Sequence, residues 1–137
     1  FTPQALGSRP ANVSVTDNAP NSPQTVNLNG TGLTSVSLTP ASIGFGTRKA
    51  GTTSPIKTVT VTNLGNALPI QSIVIGGANP GDFAQTNNCG SGLAAGASCT
   101  ISVTFTPTVV GSRSATININ DSDPTSPQQV TLSGTGD

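Results

Sequence analysis

The sequence contains no histidine, glutamate, methionine, tryptophan or tyrosine. These residue types do most acid/base, nucleophile-activating and metal-binding work, so an enzyme is not expected, and no catalytic, cofactor-binding or metal-binding residue is assigned. Charge is scarce as well. Five cations (Arg9, Arg48, Lys49, Lys57, Arg113) are scattered along the chain and cancelled by five anions (Asp17, Asp82, Asp121, Asp123, Asp137). Recognition of phosphates takes clustered Lys and Arg, so nucleic acid is excluded as a partner. Long apolar runs are missing too: Ile73-Val74-Ile75 falls far short of the roughly 20 residues of a membrane-spanning helix, and no membrane span is expected here. The chain does not open on a charged stretch followed by an apolar one, so any export signal is expected upstream of Phe1, within a longer gene product.

What the sequence does have is period-two patterning. Glycine and proline together make up about a fifth of the residues, below the level that reads as disorder. Apolar residues alternate inside short runs rich in Val, Ile and Thr, the pattern of half-buried strands. Strands are predicted at 35–39, 43–46, 56–63, 70–75, 82–85, 99–105, 112–120 and 128–133. In the clearest of them Ala115, Ile117 and Ile119 point one way and Thr116, Asn118 and Asn120 the other, as when one sheet face is buried and one is wet. Turn chemistry separates the strands, as at Asn63-Leu64-Gly65-Asn66 and Asp121-Ser122-Asp123-Pro124. Seven to eight short strands so spaced predict an all-β, antiparallel, immunoglobulin-like sandwich.

The strongest signal is internal. Shifted by 104 positions, Phe1–Gly32 falls on Phe105–Gly136 without a gap, and 17 of the 32 positions are identical, among them Phe1/Phe105, Arg9/Arg113, Asp17/Asp121 and Pro23/Pro127. Both stretches end in Gly-Thr-Gly. A match of this length implies a tandem unit of about 104 residues. The chain then divides into 1–32, the C-terminal hairpin of a partial preceding repeat, and 33–137, a complete repeat domain.

Several motifs, in order, carry a resemblance to a known family: Ser37-Leu38-Thr39-Pro40, Ile43-Gly44-Phe45-Gly46, Thr58–Asn66, Gly81-Asp82-Phe83 and Cys99–Pro107. Together they resemble the bacterial choice-of-anchor D repeats, which belong with the Hydin-type (ASH) immunoglobulin-like domains. The resemblance covers essentially all of 33–137, with 1–32 as a partial copy. It implies a seven-stranded sandwich, used in tandem arrays in large secreted or surface-anchored bacterial proteins; it does not imply a catalytic residue. Eukaryotic relatives associate with cilia and centrosomes, a setting that fits badly with the cysteines.

Cys89 and Cys99 flank Gly90–Ser98, a Gly- and Ala-rich stretch that a disulfide would close into a small loop between strands. A disulfide here implies an oxidising compartment, hence an extracellular or cell-surface location. The competing readings are two free buried thiols and a two-ligand metal site with nothing to complete it. Lesser candidates read as structural. Asp121-Ser122-Asp123 offers too few oxygens for calcium, and its counterpart Asp17-Asn18-Ala19 keeps only one carboxylate. The glycosylation sequons at Asn12 and Asn29 have no counterpart in the second copy. Lys57 could form an isopeptide bond with Asn118 or Asn120, but it lacks the usual nearby Glu and is expected on the wet face.

Segment 1–32 reads as a two-strand hairpin, Arg9–Thr16 against Gln24–Asn29, and a lone hairpin is marginal in water. Its apolar face (Ala11, Val13, Val15, Val26, Leu28) corresponds to a face buried in the complete repeat, so the expected cover is immunoglobulin-like sheet from another copy or an adjacent repeat. Contacts of that kind run head to tail and build a fibre or stalk. An adhesive or carbohydrate-binding module, or an accessory domain of a larger secreted enzyme, stands beside this reading. Sugar recognition commonly uses aromatic platforms, and only Phe1, Phe45, Phe83 and Phe105 are present.

Overall fold

The computed structural model describes residues 1, 3 and 7–137. The chain forms two compact units, Phe1–Thr34 and Ser35–Asp137. In the first unit, β1 (Gly7–Ser8), β2 (Ala11–Val15), β3 (Gln24–Leu28) and β4 (Thr31–Gly32) make two antiparallel pairs, β2 with β3 and β1 with β4. Val13 faces Val26 and Ala11 faces Leu28.

The second unit is a sandwich built from β5 (Val36–Thr39), β6 (Ser42–Arg48), β7 (Lys57–Asn63), β8 (Leu68–Gly76), β9 (Phe83–Asn87), β10 (Gly92–Leu93), β11 (Ser98–Phe105), β12 (Gly111–Asp121) and β13 (Gln128–Gly136). One sheet runs β10-β8-β12-β13-β6 and the other β5-β7-β11-β9. All pairings are antiparallel except β13 with β6, which is parallel. That exception arises because the chain changes sheet between β5 and β6, where Thr39-Pro40 removes a backbone donor.

Alternation decides what is inside. Every second residue of β11 (Cys99, Ile101, Val103, Phe105) and of β12 (Ala115, Ile117, Ile119) is buried, while the Thr, Ser and Asn between them face outward. Val59 and Val61 from β7, with Val130 and Leu132 from β13, complete the layer between the sheets. Phe45, Phe83 and Phe105 form an aromatic cluster, with the Phe83 and Phe105 rings 4.8 Å apart.

Each of the eight strands expected in 33–137 is present, several one to three residues longer. The sequence reading missed the two-residue strands β1, β4 and β10, whose composition carries no alternation. It also began a strand at Asp82. Pro80–Asp82 instead forms a single 3-10 turn, with Pro in its first turn where no donor is needed, and β9 starts at Phe83. Among the described residues there is no helix long and apolar enough to cross a membrane.

Candidate functional site

The second unit holds its two ends at opposite poles of the sandwich. At the leading pole, the Ser35 backbone N–H donates to Asp123 Oδ2 at 2.8 Å, the Ser35 hydroxyl donates to the same oxygen, and Leu64 N–H donates to the Ser35 carbonyl at 2.7 Å. Asn63 is fully buried in the turn beside them. Its Nδ2 donates to the carbonyls of Asn66, Leu93 and Ala94, and its Oδ1 accepts from Gly65 N–H. At the trailing pole, Asp137 N–H donates to the Arg48 carbonyl at 2.8 Å, and Ala50 N–H donates to Asp137 at 2.8 Å. Between the poles runs β12, eleven residues long. At about 3.4 Å per residue that is about 34 Å.

Two buried carboxylates hold the poles. Burial acts to raise the pKa of Asp123, but hydrogen bonds from Ser35 and Thr125 overcome it and bring the group down to about 2. At the opposite pole burial likewise acts against the charged form of Asp82, and the donors on Thr108 and Arg113 outweigh it, so the carboxyl sits below its ordinary value. Asp121 moves the other way, raised by burial and by the neighbouring charge of Asp123. These carboxylates do not gather into a metal site. The Asp123 oxygens are engaged by Ser35, Thr125 and Gln128, and no group of three His, Cys, Asp or Glu lies together among the described residues.

Cys89 and Cys99 are joined in a disulfide with Cα atoms 4.9 Å apart, and both are buried. The bond closes the loop that carries β10 onto the edge of β8. Free thiols and a metal site at these residues are thereby set aside. Lys57 is also placed. It is exposed, as expected, though it shares its side of β7 with Val59 and Val61 at the rim of the core; its Nζ donates to the Gly44 carbonyl at 2.6 Å and lies 5.7 Å from the Phe45 ring centroid. Asn118 and Asn120 instead bond Gln129 and Ser72.

The hairpin of the first unit reproduces β12–β13 of the second. Its pairs Ala11–Leu28, Val13–Val26 and Val15–Gln24 match Ala115–Leu132, Ile117–Val130 and Ile119–Gln128, in the same register 104 residues on. The turns agree as well. Asp17 N–H donates to the Ser22 hydroxyl as Asp121 N–H does to that of Ser126, and both Ser-Pro peptides are cis. Gly30 lies under the Phe1 ring as Gly134 lies under Phe105. The burial differs completely. Val13, Val15, Val26 and Leu28 are 47, 52, 59 and 46% exposed, whereas Ile117, Ile119, Val130 and Leu132 are at 0%.

A two-sheet, mostly antiparallel sandwich in which the chain changes sheet between β5 and β6 is an immunoglobulin-like fold. The sequence profile described as Cep192 domain 4 matches residues 34–137, and the chain belongs to that family. Among solved structures, the ASH / PapD-like domain of human CEP192 (PapD-like domain 7) is similar with a TM-score of 0.55 at 17% identity, over 75% of this chain and 85% of that one. The Vibrio cholerae VesB protease is similar over 75% of this chain and 32% of its own (TM-score 0.57, 22% identity). The secreted serine protease VesC from Vibrio cholerae is similar over 68% and 21% (TM-score 0.54, 21% identity). The chain thus spans about a third and a fifth of the two protease chains, and at these identities the likeness concerns the fold. No curated protein sequence matches the chain.

Proposed function

We propose that this chain is part of a non-catalytic extracellular structural protein, in which immunoglobulin-like modules follow one another head to tail as a stalk or fibre. The observation that carries this reading is the placement of Ser35 and Asp137 at opposite poles. A module that receives the chain at one end and releases it at the other adds its own length, about 34 Å, to an array. The 32-residue sequence match between the two units, at a spacing of 104 positions, supplies the repetition. The buried disulfide and the secreted VesC neighbour support an oxidising, extracellular setting.

The sheet edges suit such a protein. The side chain of Gln85 crosses between sheets to donate to the Ile73 carbonyl on β8 at 3.0 Å, and Lys57 does the same to Gly44 on β6. Capped edge carbonyls discourage sideways pairing and leave end-to-end growth. Small-angle scattering of the parent polypeptide tests the reading. The maximum dimension is expected to increase by about 34 Å per added module, and a compact ball of modules would overturn it.

A second reading draws on one surface. The outer face of β9 and β11 carries a hollow of about 190 Å³ lined by Ile56, Ala84, Gln85, Thr86, Ser102 and Thr104, with no charged side chain. The lining is uncharged and more apolar than polar, which favours the apolar face of a neutral ligand such as a glycan over an ionic one. Glycan-array binding by isolated, non-polymerising protein would favour that adhesive role. A catalytic domain beside this one in the parent gene would instead make it an accessory domain, as the partial coverage of the VesB and VesC proteases suggests.

A further inference from the structure

We infer that the apolar face of the β2–β3 hairpin docks onto an unfinished sandwich formed by the stretch of the same polypeptide that immediately precedes Phe1. This rests on the repeat reading above and deepens it by naming the occupant. The register identity defines the shape of the missing surface. In the second unit the face of Ala115, Ile117, Ile119, Val130 and Leu132 is covered by the β5-β7-β11-β9 sheet, while β12 and β13 are flanked by β8 and β6. A partner for Ala11, Val13, Val15, Val26 and Leu28 must supply the equivalents of those strands, antiparallel along β2 and parallel along β3.

A sister molecule cannot offer that surface, because its own 35–137 module has the position filled by β12 and β13. Phe1 settles the direction from which the cover comes. Its counterpart Phe105 is the last residue of β11, a central strand, and lies over Gly134; the ring of Phe1 already lies over Gly30. Phe1 therefore ends a strand of the sandwich that the hairpin completes, and that strand is continuous with the chain before it. The same geometry assigns a partner for Arg9. Arg113 pairs with the buried Asp82, which precedes Phe105 by 23 residues, so a carboxylate 23 residues before Phe1 is expected to hold Arg9 in the completed module.

The test extends this chain at its N-terminus by the 72 residues that precede Phe1 in its parent polypeptide and compares amide exchange with that of the 137-residue chain. Exchange at Val13 and Val26 is expected to slow by about a thousandfold or more in the extended chain, as for amides released only by global unfolding. Val13→Asp in the extended chain is expected to abolish that protection and leave the amides of Ile117 and Val130 unaffected, which separates a docking defect from general misfolding. Three results would overturn the inference: an extended chain whose hairpin still exchanges freely, protection in the 137-residue chain that rises with protein concentration, or a parent polypeptide with no strand pattern and no Asp at the stated position. A stalk of normal length per module with an unprotected hairpin would defeat this inference alone and leave the structural reading standing.

Discussion

Ser35 and Asp123, 88 residues apart in sequence, are joined twice over: the backbone N–H and the hydroxyl of Ser35 both donate to one carboxylate oxygen. The contact fixes where the chain begins the sandwich. Asp123→Asn removes the charge from a carboxylate that is 95% withdrawn from solvent and weakens the bonds from Ser35 and Thr125. Chemical denaturation at pH 7 is expected to show a loss of about 2–3 kcal/mol.

The same pole predicts two opposed effects of pH. The lowered pKa of Asp123 favours the folded state above the unfolded carboxylate value of about 3.9, and that contribution is lost as pH falls through about 2. Asp121, raised mainly by burial, binds its proton more tightly when folded. Its contribution is therefore present below about 3.9 and is lost as pH rises through its raised value. Asp121→Asn keeps an oxygen that can accept from Asp123 N–H and removes the titration. Melting temperatures measured from pH 3 to 7 are expected to lose that decline in the variant; an unchanged profile would show that Asp121 does not set it.

Arg113 and Asp82 form the corresponding staple at the trailing pole. Asp82 is 3% exposed, and besides Arg113 it accepts from the backbone and hydroxyl of Thr108. Replacing Arg113 by Met leaves a buried anion uncompensated, at a cost of about 3–5 kcal/mol. The double variant with Asp82→Asn is expected to recover part of that loss. A double-mutant cycle by urea unfolding measures the coupling, and strict additivity would refute it.

The architecture was legible because alternation survives translation into structure: Val59/Val61, Ile101/Val103 and Ile117/Ile119 are buried where period two places them. The paired cysteines and the hairpin register were legible for a related reason, since each needs only spacing. The polar staples were not. Asn63, Asp82, Asp123 and Gln85 belong to residue types that populate any turn or surface, and what singles them out is a donor or acceptor 12 to 88 positions away. Lys57 is exposed as expected, but its contacts were not legible: strand parity with Val59 and Val61 puts it at a rim, where its length carries the ammonium to Gly44 and Phe45.

The disulfide between Cys89 and Cys99 closes a loop whose ends are ten residues apart. Constraining the unfolded chain by a loop of that size is worth roughly 2–3 kcal/mol. Unfolding with and without reductant is expected to differ by that amount, and β10 is expected to lose protection first because its strand pairing covers only two residues at the end of β8. Equal stability in both conditions would refute a structural role for the bond.

Glycines 30 and 134 give a matched comparison within one chain. A Cβ on Gly134 would stand 2.4 Å from the ring of Phe105, which is wholly buried and cannot retreat. A Cβ on Gly30 would stand 2.3 Å from the ring of Phe1, but that side chain is 82% exposed and is free to swing aside. Gly134→Ala is therefore expected to cost about 1–3 kcal/mol by overpacking. In the 137-residue chain Gly30→Ala is expected to leave the main unfolding transition within about 0.5 kcal/mol of the parent. Once the preceding stretch of polypeptide is restored and Phe1 is enclosed, the two alanines are expected to become equally costly. Calorimetry on the four proteins reads this directly, and a Gly30→Ala variant that stays neutral in the extended chain would mean that the Phe1 ring never enters a core.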